Sequence, residues 1–205
     1  MIVNHEKKFI YISIPKVGST TLHRFLTNKI EGSLVEWDLI GLKSKNKQID
    51  FNNYYSFAFV RNPWSRLYSC WKDKCFIDDK YLENAPFFKK HKNISFEKFV
   101  DVVESQIKEN PWCDPHIRPM NILIEQNTGY LDINKIDFTG KLESLESDVN
   151  NVLSKLNIKQ TFSNFVLNKS KEHKTTQSEA FTSNLVDRVS EIYGDDINSF
   201  NYSYK

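Results

Sequence analysis

No stretch of this sequence stays apolar for long enough to cross a bilayer, and its first residues, Met-Ile-Val-Asn-His-Glu-Lys-Lys, lack the build of a signal peptide. The expectation is a cytoplasmic protein without a membrane span. Net charge is nearly absent: 28 Lys and Arg stand against 26 Asp and Glu, leaving +2. No global field therefore selects nucleic acid or an anionic membrane, and any anion must be held by locally placed cations. Cysteine is scarce as well. Cys70, Cys75 and Cys113 are odd in number and lack the close pairs of a zinc site, which predicts free, buried thiols in a reducing compartment. No cluster of Asp, Glu and His asks for another metal. Repeats and dividing linkers are missing too, so one domain over residues 1–205 is expected.

Aromatic residues are plentiful, at 14% of the chain. Most fit a Phe-rich core, and a few suit a sugar-stacking surface. Phe9 to Ile14 is a continuous apolar run ended by Pro15, the pattern of a strand buried on both faces. Leu22, Phe25 and Leu26 then fall at helical spacing. Tyr55 to Val60 repeats the buried-strand pattern, Arg61-Asn62 turns the chain, and Pro63 suits the first position of a helix through Lys74.

Further on, Ser95 is a candidate cap for a helix bearing Phe96, Phe99, Val100 and Val103. The run from Asn110 to Pro119 holds three prolines and must be a loop. Lys135 to Thr139 reads as a strand, and Leu142 to Leu156 as an amphipathic helix with Leu145, Val149, Val152 and Leu156 inward. Thr182 or Ser183 caps the last helix, whose core face carries Leu185, Val186, Val189, Ile192 and Tyr193. Strands alternating with helices predict an α/β fold with a small parallel sheet flanked by helices.

Two turns carry phosphate chemistry. Pro15-Lys16-Val17-Gly18-Ser19-Thr20-Thr21 joins a strand to a helix, where backbone N–H groups and the helix dipole favour an anion. Gly18 permits close approach, Lys16 adds a cation, and Ser19, Thr20 and Thr21 add hydroxyl donors. A Walker A loop would place its lysine after the glycine and would carry an earlier glycine; here Lys16 precedes Gly18 and that glycine is missing. At the second turn Arg61 offers a planar fork to a phosphate, and Ser69 follows about two helical turns later.

The first turn resembles the 5′-phosphosulfate loop of the sulfotransferases, P-K-x-[GA]-[ST]-[ST]. The second resembles their 3′-phosphate motif, with Arg61-Asn62-Pro63 followed by Ser69. Asp137-Phe138-Thr139-Gly140-Lys141-Leu142-Glu143, with Leu145 and Asp148 beyond, looks like a stretch of the carbohydrate sulfotransferases, Golgi-type and bacterial. The likeness runs from Phe9 to Tyr202. It implies a P-loop-like three-layer fold and 3′-phosphoadenosine 5′-phosphosulfate as donor co-substrate without a metal. It also implies transfer of the sulfuryl group to a hydroxyl, a glycan's being the favoured acceptor.

Asp114-x-His116-x-x-Pro119 resembles that group's D-x-H-x-x-P-Q segment, with Met120 in place of the Gln, and marks His116 as the catalytic base. Lys16 is the expected stabiliser of charge in the transition state. Val17 lies in the donor loop, and Lys171 and Lys174 are secondary candidates for the donor's phosphates. Asp114, Arg118 and Trp112 are candidates for acceptor binding. A small P-loop kinase and a non-catalytic glycan- or nucleotide-binding module are the competing readings.

Overall fold

The structure, a computed structural model, describes residues 1–35, 51–78, 83, 85–110, 112–128, 135–163 and 175–204. In chain order its first elements are β1 (Ile2–Asn4), β2 (Phe9–Ile12), α1 (Ser19–Lys29), β3 (Ser33–Val35), β4 (Tyr55–Val60), α2 (Pro63–Lys74) and α3 (Pro86–Lys90). There follow α4 (Phe96–Glu109), α5 (Met120–Thr128), β5 (Phe138–Lys141), α6 (Leu145–Lys155), α7 (Gln177–Ala180), α8 (Ser183–Ile192) and α9 (Gly194–Ser199). Two compact units result, Met1–Arg61 with Met120–Asn168, and Asn62–Pro119 with Lys169–Lys205. Among the described residues no helix is long and apolar enough to cross a membrane.

The first unit is a five-stranded sheet in the order β3-β1-β2-β4-β5. β2, β4 and β5 run parallel, with Tyr11 opposite Phe57 and Phe59 opposite Gly140. β1 is antiparallel to both β2 and β3, so the sheet is mixed and the expectation of a parallel sheet is corrected. The antiparallel part is made of three-residue strands, too short to show a period of two. A buried side chain builds it instead. Asn4 Oδ1 accepts from the N–H groups of Glu6 (3.1 Å) and Lys7 (2.8 Å), closing the β1–β2 turn. Its Nδ2 donates to the Glu31 carbonyl (2.8 Å) beside β3.

The continuous apolar runs become the central strands: every β2 residue is buried, and so is β4 from Ser56 onward. α1 packs on β1 and β3, α5 on β2, and α6 on β5. Asp137 locks the start of β5 to β4, its Oδ2 accepting from the Ser56 N–H (2.7 Å) and hydroxyl (2.8 Å). That strand begins at Phe138, three residues later than the sequence pattern suggests. The helix expected from Leu142 opens as a 3-10 turn, and Leu153, rather than the half-buried Leu156, completes its inward row.

The second unit is helical around Trp64, Trp71, Phe88, Phe96, Phe99 and Tyr193. Its caps follow the sequence. Asn62 accepts from the Ser65 N–H with Pro63 in the first turn of α2, Ser95 caps α4, and Thr182 caps α8. Cys70, Cys75 and Cys113 are free and buried.

Candidate active site

Backbone geometry sets the first turn apart. Lys16 has φ 71° and Gly18 has φ 80°, both in the left-handed region, which a lysine enters only under constraint. Gly18 is the N-cap of α1 and no side chain caps that helix; its carbonyl accepts from Thr21 (3.0 Å) and Leu22 (3.2 Å). The first turn of α1 carries no acidic residue, so its dipole meets no competing charge. Val17 is buried and plugs the turn into the core, Ser19 is half-buried, Thr20 is exposed and Thr21 is buried.

At the carboxyl end of β4, Arg61 Nη1 donates to the Lys16 carbonyl over 3.2 Å. The structure thus brings Arg61 and the Lys16 turn together at adjacent parallel strand ends, with a guanidinium beside a strained cationic turn. His23 Nε2 lies 3.0 Å from Ser13 Oγ and ties α1 to the chain just ahead of this turn.

In the second unit, Ser69 is buried on α2, one turn beyond Arg66. The 110–119 loop holds the other candidates. Asp114 Oδ1 accepts from the backbone N–H of His116 (2.9 Å) and from its Nδ1 (2.8 Å). Burial resists ionisation of Asp114, yet these bonds from the His116 side chain and backbone outweigh it and hold the carboxyl below its usual range. An ionised carboxylate only accepts, so Nδ1 carries a proton, and in the neutral imidazole Nε2 is the lone-pair acceptor. Among the described residues Nε2 meets no protein partner.

Phe88 packs edge-on against the His116 ring at 5.8 Å. Arg118 donates to the carbonyls of Trp112 and Cys113 and lies over the Trp112 ring, 5.9 Å from its centroid. Trp112 itself is 55% exposed. Lys171 and Lys174 lie outside the described residues.

The profile of the Sulfotransferase family matches residues 1–203. The chain belongs to the sulfotransferase family. It is 25% identical over 185 residues to carbohydrate sulfotransferase 14 of Danio rerio, an alignment covering 78% of this chain and 49% of that protein. The chain therefore spans about half the length of that curated relative. No solved structure gives a significant match.

Within the chain, Lys16 to Thr21 and Arg61 share one unit, whereas Ser69, Asp114, His116, Arg118 and Trp112 share the other. One residue escapes the motif reading altogether. Arg66 is 2% exposed, and its guanidinium grips the backbone around His116. Its signal in the sequence is faint: a cation beside Leu67 and four residues from Cys70, on the apolar face of a helix, needs a buried acceptor.

Proposed function

We propose that this sulfotransferase moves a sulfuryl group from 3′-phosphoadenosine 5′-phosphosulfate to a hydroxyl of a carbohydrate, on a P-loop-like three-layer fold in the cytoplasm. The observation that carries the reading is the Arg61–Lys16 hydrogen bond, which brings the Arg61 guanidinium to the backbone of the Lys16 turn at the ends of parallel strands. The family membership and the carbohydrate-sulfotransferase relative favour this donor and this acceptor class.

In this reading the donor's 5′-phosphosulfate lies on the Lys16–Thr21 turn, with N–H groups and the Lys16 ammonium on its oxygens. Arg61 and Ser69 take the 3′-phosphate. His116 Nε2 removes the proton of the acceptor hydroxyl, and the freed oxygen attacks sulfur in line with the departing phosphate oxygen. One S–O bond forms as another breaks. Adenosine 3′,5′-bisphosphate leaves, with Lys16 neutralising the charge that grows on its bridging oxygen.

The test is calorimetric titration of adenosine 3′,5′-bisphosphate, against ATP with magnesium, on wild type and Arg61→Ala. Micromolar binding of the bisphosphate, weak ATP binding and loss of affinity in Arg61→Ala support the reading. Preference for ATP, or an unchanged affinity in the variant, overturns it. A screen of sugar acceptors with radiolabelled donor then names the acceptor.

A further inference from the structure

The loop around His116 has few donors of its own, because Pro115 and Pro119 lack N–H groups and the chain between them forms neither helix nor strand. Its carbonyls are held from outside. Arg66 Nη1 donates to the Arg118 carbonyl over 2.8 Å, and Nη2 donates to the Pro115 carbonyl over 3.1 Å. These two carbonyls bracket His116. Between them, the Tyr193 hydroxyl donates to the Ile117 carbonyl over 2.6 Å. Tyr193 is fully buried, and that burial drives its ionisation far upward, so it remains a donor. On the inner side of the loop, the N–H groups of Ile117 and Arg118 both reach the Asp114 carbonyl, at 3.0 and 3.1 Å.

A cation buried to 2% exposure is an expensive way to fill a helix face, since desolvating a charge costs several kcal/mol. An apolar side chain of similar size would pack there at lower cost. What the guanidinium adds is geometry: one rigid planar fork fixes two carbonyls at a set separation, which an ammonium point charge does not. The same helix carries Ser69 one turn further on.

We infer that Arg66 is a positioning residue for the proposed base, setting the pose of the His116 imidazole through the loop backbone and registering it to the helix that bears Ser69. This rests on the reading of His116 as the base, and it requires a readout at the ring itself. The chain has five histidines, so long-range proton–nitrogen spectra of the ¹⁵N-labelled protein resolve each imidazole. The signals of His116 are assigned by their loss in His116→Gln.

Wild type is expected to show the Nδ1-protonated tautomer. In Arg66→Lys and Arg66→Gln the His116 signals should shift towards a mixture of tautomers, with the other rings unmoved and melting still cooperative. Guanidinium ion added to Arg66→Ala should restore the wild-type signals. Turnover in Arg66→Lys should fall about a hundredfold with the KM for the donor unchanged, the loss expected when a reacting group is misplaced by about 1 Å. Wild-type His116 signals in both Arg66→Lys and Arg66→Gln overturn the proposal. So does loss of cooperative melting in both, which would make Arg66 a general core residue. Persisting turnover in His116→Gln would instead sink the base assignment, leaving the spectroscopic result on Arg66 intact.

Discussion

Arg61 donates a hydrogen bond to the backbone carbonyl of Lys16, 3.2 Å away, and Lys16 holds a left-handed φ of 71° to receive it. A non-glycine residue there costs on the order of 1–2 kcal/mol, part of which glycine would recover. Lys16→Gly should therefore melt at or slightly above wild type, while turnover collapses because the cation is gone. Lys16→Ala should show the same loss of turnover without the gain in stability. Thermal melts of the two variants side by side decide it. A fall of several degrees in Lys16→Gly would show that the turn stores no strain.

Gly140 answers to packing rather than to φ. A Cβ at this position would lie 2.5 Å from Phe59 Cε1, 2.9 Å from its Cδ1 and 3.0 Å from Phe138 Cε1. The Phe59 ring is fully buried against Tyr11, Phe57 and Phe138 and has nowhere to swing. Gly140→Ala should cost about 1–3 kcal/mol, as overpacked cores do. For a chain of this size that is a drop of roughly 2–4 °C per kcal/mol in Tm. An unchanged Tm would mean that β4 and β5 separate more easily than their register suggests.

The legible parts of this molecule are those where neighbouring residues carry the signal. The apolar runs ending at Ile12 and Val60 announce buried strands, Pro63 and Ser95 announce helix starts, and Asp114 and His116 sit two apart and find each other. β1 and β3 were opaque because a three-residue strand has no periodicity, and their pairing depends on the buried Asn4 reaching the residues near position 31. The Arg61–Lys16 contact spans 45 residues, and the Arg66 clamps span 49 and 52. A motif names such residues one at a time. Only the tertiary fold says which carbonyl each will meet.

His23 predicts a pH effect near the Lys16 turn. Burial, and after it the charge of the N-terminal amine, lowers its affinity for a proton, while Tyr11 faces it edge-on and Ser13 bonds its Nε2. The unfolded chain then takes up this proton first as pH falls through the ordinary histidine range, near 6.5. Stability from this site is present above that range and declines below it, until the folded imidazole titrates as well. His23→Gln should flatten the fall in Tm between pH 7.5 and pH 5.5. Parallel slopes for variant and wild type would remove His23 as the cause.

On the proposed mechanism, Asp114 should act on both the reaction and the acid limb of stability. Its carboxylate fixes the proton on His116 Nδ1, whereas the amide of Asp114→Asn donates as well as accepts and permits the other tautomer. Turnover should then fall by about 10³–10⁴-fold, the scale seen when a histidine base loses its orienting carboxylate, with bisphosphate affinity unchanged. Because the folded carboxyl titrates below its usual range, its contribution is present above about pH 4 and is lost as pH falls through the depressed value. Wild type should thus melt above Asp114→Asn at pH 7, and the gap should close as pH falls below the ordinary carboxylate range and the folded carboxyl takes up its proton. The two readouts separate the roles. A variant that keeps its turnover but loses stability would make Asp114 a loop brace and return the His116 tautomer to chance.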